Sequence, residues 1–128
     1  MSAQRVFTAG APAPIGPYNQ AVVVDGLIFC SGQIAIDPSA GKLIEGDIAR
    51  QTEQVLSNIA AVLAAAGASF ADVVKTTIFL VDMADFATVN PIYGAAFANG
   101  VAPARSTVAV AQLPLGARIE IEVIARIG

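Results

Sequence analysis

The stretch from Asp47 to Val81, DIARQTEQVLSNIAAVLAAAGASFADVVKTTIFLV, decides the fold. Asp47 suits an N-cap, and Ile48, Thr52, Val55, Ile59, Val62, Leu63 and Ala66 recur at steps of three and four before Gly67, which is placed to end the helix. The spacing predicts an amphipathic helix of about five turns that covers a sheet. Val73–Val81 follows with Val74, Ile78 and Leu80 on one alternating set and Phe79 and Val81 on the other, the pattern of a central strand buried on two sides.

Upstream, Arg5–Thr8 reads as a short strand. Ala11-Pro12-Ala13-Pro14 and Gly16-Pro17 then force an irregular loop with Tyr18 at its exit, because proline fixes φ and lacks an N–H. Ala21–Val24 and Leu27–Gln33 are β-rich runs joined by Asp25-Gly26, a strong hairpin signal, and a turn spans Asp37-Pro38 to Gly41. Downstream, a second helix begins near Asp85 with Phe86, Val89, Tyr93 and Phe97 on one stripe. Pro91 either falls inside it or, with Asn90, caps and restarts it. Ser106–Ala111 and Ile119–Ile127 are the last strands, linked through Leu113-Pro114-Leu115-Gly116. In the final strand Ile119, Ile121, Val123, Ala125 and Ile127 alternate with Glu120, Glu122, Ile124 and Arg126. The order ββ(β)αβαββ gives an α+β sandwich: two crossovers feed one mixed sheet, right-handedness puts both helices on one face, and the other face is left bare.

No linker, repeat or low-complexity tract interrupts the 128 residues, so residues 1–128 read as one domain. Hydrophobic residues make up 55% and charged residues 13%, with no histidine and no tryptophan. Lacking imidazole, the chain has no Ser-His or Cys-His dyad and no His-ligated zinc, so acid–base work falls to carboxylates, tyrosine, lysine or water. The single cysteine, Cys30, rules out an intramolecular disulfide and a multi-thiolate metal site and points to a reducing compartment.

Met1 to Phe7 lacks the apolar region of a signal peptide, and the longest apolar run, Ile59 to Ala68, is ten residues, against the ~20 needed to span a bilayer. A soluble, cytoplasmic protein is expected. Seven basic residues are scattered against ten acidic ones, for a net charge of -3, so a phosphate-backbone footprint is missing and no nucleic-acid or membrane partner is expected. So few charges on so apolar a chain imply an oligomer that buries more surface than the monomer does.

Several residues could carry chemistry, each with a plainer reading. Arg105, in Ala102-Pro103-Ala104-Arg105-Ser106-Thr107, sits in a stiffened loop entering a strand and could bind a carboxylate bidentately, or pair with a surface acid. Glu120 could be a general base for water or an ordinary outward position, with Glu122 sharing its face as a decoy. Ser31-Gly32 offers a hydroxyl and an unhindered N–H, or marks a bulge. Tyr18, Asn90 and Tyr93 could be ligand contacts, packing or caps, and Cys30 reads as a buried small hydrophobe.

Taken together, Gly16-Pro17-Tyr18-Asn19-Gln20-Ala21, Ser31-Gly32-Gln33, Asp85-Phe86 to Asn90 with Tyr93, Pro103-Ala104-Arg105-Ser106-Thr107 and Ile119-Glu120-Ile121-Glu122 are similar, in order and along nearly the whole chain, to the RidA/YjgF/YER057c family of enamine/imine deaminases. The resemblance implies a chorismate-mutase-like fold assembled as a homotrimer with ligand sites between subunits. It implies hydrolysis of 2-imino and 2-enamino acids, such as 2-aminoacrylate and 2-iminopropionate, to 2-keto acids and ammonia, with no cofactor and no metal. By position, Arg105 would hold the substrate carboxylate with the Gly32 N–H as a second donor. Glu120 would orient and deprotonate water, and Tyr18, Ser31, Asn90, Tyr93 and Thr107 would shape the pocket. Thr107 stands where many relatives carry cysteine, which argues against a thiol-based role. The alternatives are a non-catalytic trimer that binds or senses small carboxylates, an endoribonuclease, which the acidic, histidine-free chain fits poorly, and a chorismate mutase, which would want more cationic groups.

Overall fold

The computed structural model describes residues 2–127; Met1 and Gly128, the ends of the expected domain, lie outside the described residues. Its strands are β1 (Gln4–Val6), β2 (Ala21–Val24), β3 (Leu27–Cys30), β4 (Ile36–Asp37), β5 (Lys42–Leu43), β6 (Val73–Leu80), β7 (Ala104–Ala109) and β8 (Ile119–Arg126). The helices are α1 (Ile48–Ala65) and α2 (Phe86–Ala96). Six strands form one sheet in the order β1-β2-β3-β8-β6-β7, in which only the β6–β7 pair is parallel. The sheet is therefore mixed and its two crossovers run through α1 and α2. A separate hairpin of β4 and β5 fills the turn around Asp37–Gly41.

α1 starts where its cap dictates: the Asp47 side chain accepts from the Arg50 N–H at 3.0 Å. Gly67, at φ 81°, turns the chain away after Ala66. The helix lays Val55, Ile59, Val62 and Leu63 against Ile28, Ile78, Leu80, Ile119 and Ile121, all at most 1% exposed. Burial of each such side chain contributes about 2 kcal/mol. α2 docks beside α1 on the same face, adding Val89, Tyr93 and Phe97 to that core. On the opposite face Leu27, Phe29 and Val108 remain exposed, so the chain itself leaves that side of the sheet uncovered.

Three expectations need correction, and one open alternative, at Asn90-Pro91, is decided. Val74 is exposed rather than inward: a register shift between Val73 and Lys75 on β6 reverses the alternation, so Val73 is buried and Thr76 takes the next inward place. Asn90-Pro91 does not restart the second helix. α2 runs through Pro91 unbroken and forgoes one i→i−4 bond. Arg105 lies on β7 itself rather than in a loop before it, because parallel pairing with β6 begins at Lys75↔Ala104. The first strand is Gln4–Val6 rather than Arg5–Thr8, because the Thr8 N–H turns to the Gln20 side chain at 2.7 Å.

Candidate active site

The expected strand Leu27–Gln33 is interrupted, and the interruption builds the site. β3 stops at Cys30, and the ladder resumes only at Gln33, which exchanges backbone bonds of 2.9 and 3.1 Å with Ile121. Ser31 and Gly32 are the step between. The Ser31 N–H donates to the Gln20 carbonyl at 2.9 Å and its hydroxyl to the Asn19 carbonyl at 2.6 Å. Gly32 lies directly against Glu120: a Cβ at residue 32 would come within 2.8 Å of the Glu120 Cδ and closer still to Oε2. Glycine leaves this space to the Glu120 carboxyl group, which a larger residue would push aside. Among the described residues, no acceptor is bonded to the Gly32 N–H.

This step floors a cleft of about 490 Å³ in which Tyr18, Ser31, Gly32 and Glu120 meet apolar walls from Ile15, Ile34, Ile36, Pro114 and Leu115. The Tyr18 hydroxyl accepts from the Ile15 N–H at 3.3 Å and so ties the loop to the rim. Burial raises the Glu120 pKa from its ordinary value, and the neighbouring charge of Glu122 adds to the rise. Glu120 is thus a stronger base than a solvated carboxylate, and Glu122 is more than a decoy.

Arg105 belongs to a second cluster. Its Nη1 donates to Asn90 Oδ1 at 2.8 Å, and its Cζ lies 5.2 Å from the Phe86 ring centroid and 5.0 Å from that of Tyr93. Its polar partner is an amide rather than an acid, so the guanidinium is oriented without being neutralised. Tyr93 is buried beneath it and shares a 2.6 Å hydrogen bond with Thr76 Oγ1. Burial raises the Tyr93 pKa against the opposing effects of that bond and of Arg105, which keeps the phenol protonated. The Thr107 Oγ1 is buried on the same side of β7 and has no hydrogen-bond partner among the described residues.

Sheet register places the two clusters apart. Arg105 pairs with Thr76, which faces the helices, whereas Glu120 pairs with Phe79, one residue out of phase with Thr76, Ile78 and Leu80. Within one chain, then, Tyr18, Ser31, Gly32 and Glu120 gather in the cleft, while Asn90, Tyr93, Arg105 and Thr107 lie on the other face of the sheet and do not line it.

Buried amides to which the sequence assigns no role hold the cleft in place. Gln20 is 2% exposed and its amide donates to the carbonyls of Thr8, Ala11 and Pro12. Asn58 donates to the carbonyls of Ile34 and Ile36, and Gln51 accepts from the Arg118 N–H. Gln20 and Asn58 thus tie the cleft walls to the core, and Gln51 fixes the residue that precedes β8. Gln51 and Asn58 fall on the apolar stripe of α1, three residues after Ile48 and Val55, and a polar residue on such a stripe was the available signal.

Cys30 is buried, and that burial pushes its thiol pKa up to about 12, so it is a poor nucleophile. Among the described residues no three acidic or cysteine side chains cluster as metal ligands, and no helix is long and apolar enough to cross a membrane.

Fold and site define a small two-crossover α+β domain with a basic carboxylate in a cleft on the sheet face away from its helices. The family model described as Endoribonuclease L-PSP matches residues 8–127. The chain is 52% identical over 120 residues to the 2-iminobutanoate/2-iminopropanoate deaminase of Mus musculus, covering 94% of this chain and 88% of that protein. Among solved structures, the Rid family protein YyfA from Yersinia pestis superposes with a TM-score of 0.96 at 49% identity, covering 98% of this chain and 99% of that one. The E. coli protein TdcF, solved with bound serine, superposes with a TM-score of 0.92 at 41% identity over 96% and 98% of the two chains. The chain belongs to the RidA/YjgF/YER057c family, the one described by the Endoribonuclease L-PSP model.

Proposed function

We propose that this protein hydrolyses 2-imino and 2-enamino acids to 2-oxo acids and ammonia, in sites completed between the subunits of a homotrimer. The observation that carries the reading is Glu120, a carboxylate made more basic by burial at the floor of a cleft that leaves room for a small acid beside it. The names of mammalian relatives and the serine bound to TdcF support the same class of ligand.

The chemistry asks little of the protein. A protonated imine is already electrophilic, so Glu120 takes a proton from water as the oxygen bonds to C2 and the C=N π pair moves to nitrogen. The resulting carbinolamine collapses when its nitrogen receives a proton and the hydroxyl loses one: the C–N bond breaks, ammonia leaves and the C2 carbonyl forms. An enamine enters the sequence once protonated at C3. General-base assistance of this kind contributes roughly 10²–10⁴ in rate.

The substrate carboxylate needs a cation, and the cleft of a single chain has none among the residues that line it. Arg105 of a partner subunit, already oriented on Phe86, Tyr93 and Asn90, meets that need if its strand edge seats over the bare face bearing Glu120. The apolar Leu27, Phe29 and Val108 on that face favour such packing. Asn90, Tyr93 and Thr107 would then reach the site with Arg105.

The test is direct. When 2-aminoacrylate is generated by a serine or threonine dehydratase, this protein accelerates pyruvate release, Arg105→Ala abolishes the effect and Glu120→Gln reduces it. A rate no greater than in buffer alone overturns the reading in favour of a carboxylate-binding trimer.

A further inference from the structure

We propose that Leu115 is a specificity-determining residue of the Glu120 cleft, favouring ligands whose C2 carries an extended apolar side chain over those with a methyl group. The proposal rests on the imine-hydrolase reading above.

Among the described residues, only Asp25 and Leu115 adopt positive φ without being glycine. Asp25 is explained by its place in the Asp25-Gly26 hairpin turn, where both central residues take that conformation. Leu115, at φ 59° and ψ 20°, has no such reason: it sits in the turn Pro114–Gly116, where glycine or asparagine would be unstrained. Core packing does not compensate, since the side chain is 66% exposed. What the strained backbone does achieve is to place a leucine on the cleft wall that Glu120 also lines, together with Ile15, Ile34 and Ile36. Backbone strain that serves no packing marks a functional placement. The cleft of the single chain, at about 490 Å³, exceeds the size of a three-carbon acid, and its apolar wall suits a substituent that extends beyond C2.

Two variants that tolerate left-handed backbone, Leu115→Gly and Leu115→Asn, separate this role from a structural one. The imines made from leucine and from alanine by an amino-acid oxidase are compared by kcat/KM. Binding of the stable products 4-methyl-2-oxopentanoate and pyruvate is measured by calorimetry. Both variants should lose about tenfold in kcat/KM for the leucine-derived imine and change less than about twofold for the alanine-derived one, with the 2-oxo acid affinities following the same ratio. Equal changes for both imines, or none, overturn the proposal. If the wild type hydrolyses neither imine, the deaminase reading fails while the affinity ratio still decides the role of Leu115. A wild type that also binds neither 2-oxo acid overturns both.

Discussion

The Glu120 carboxyl group fills the space beside Gly32 that a side chain would occupy, so any larger residue at position 32 must displace it. Any Cβ there meets the Glu120 Cγ at 3.0 Å and Cδ at 2.8 Å, so the carboxyl group must swing away. Gly32→Ala is therefore expected to act as a displaced-base variant. It should fold, since Gly32 lies outside the sheet ladder, yet lower kcat by about 10²-fold, within the range of a general-base contribution. Steady-state kinetics beside a thermal melt check this; unchanged kcat would show that the placement of Glu120 is immaterial.

Burial first, and then the charge of Glu122 on the same sheet face, raises the Glu120 pKa, so the proposed reaction should depend on pH in a predictable direction. On the proposed mechanism the ionised Glu120 is the active form, so activity should rise as pH climbs through its raised pKa. Glu122→Gln removes the second cause of that rise and leaves burial, the first, in place. The acid limb of the kcat/KM profile should shift to lower pH without vanishing. Stability follows the opposite sign. A carboxyl group with its folded pKa raised stabilises the fold fully below its unfolded pKa and loses that contribution as pH rises through the folded value. Glu120→Gln should consequently raise the denaturation midpoint near about pH 7, and the gain should shrink toward about pH 4, the ordinary carboxylate range. A midpoint difference that grows on acidification contradicts the assignment.

Much of this architecture is legible in the sequence because its patterns are local. The cap at Asp47, the 3.6 period of α1, the Asp25-Gly26 hairpin and the alternation of β8 each depend on residues within a few positions of one another. Alternation alone misplaces Val74 because a bulge is a cross-strand event: only the pairing with β8 reveals that the register slips before Lys75. The site residues split in the same way. Ser31-Gly32 reads locally as a bulge or a binding step and is a break in the ladder that also lines the cleft. That Arg105 and Glu120 face opposite sides follows from strand order, which no local pattern encodes. Leu115 left no signal, since a leucine between proline and glycine says nothing of its φ.

Gln20 ties the proline loop to the core through four bonds, from the Thr8 N–H and to the carbonyls of Thr8, Ala11 and Pro12. Gln20→Leu keeps the bulk but orphans these buried or half-buried groups, and is expected to destabilise the fold by roughly 2–4 kcal/mol in urea titration. Pro12 and Tyr18 line the cleft, so KM should rise as their loop loosens. A loss of less than about 1 kcal/mol would mean that water replaces the amide.

The placement of Arg105 and Glu120 on opposite faces of one sheet makes a sharing experiment decisive. In the proposed homotrimer, with a heterologous interface between each pair of neighbours, every site would take Glu120 from one subunit and Arg105 from the next. Arg105→Ala and Glu120→Gln homotrimers are each impaired at all their sites. If the two are unfolded together, refolded and randomly mixed, an Arg105→Ala subunit can supply its intact Glu120 to a neighbour that supplies an intact Arg105. Random assembly at equal ratio restores about a quarter of the sites. Deaminase activity should therefore reappear at about that fraction of the wild-type rate in the mixed sample and in neither parent. A site confined to one chain has no such route, because no subunit in the mixture carries both groups, and activity would stay at the parental level at every mixing ratio.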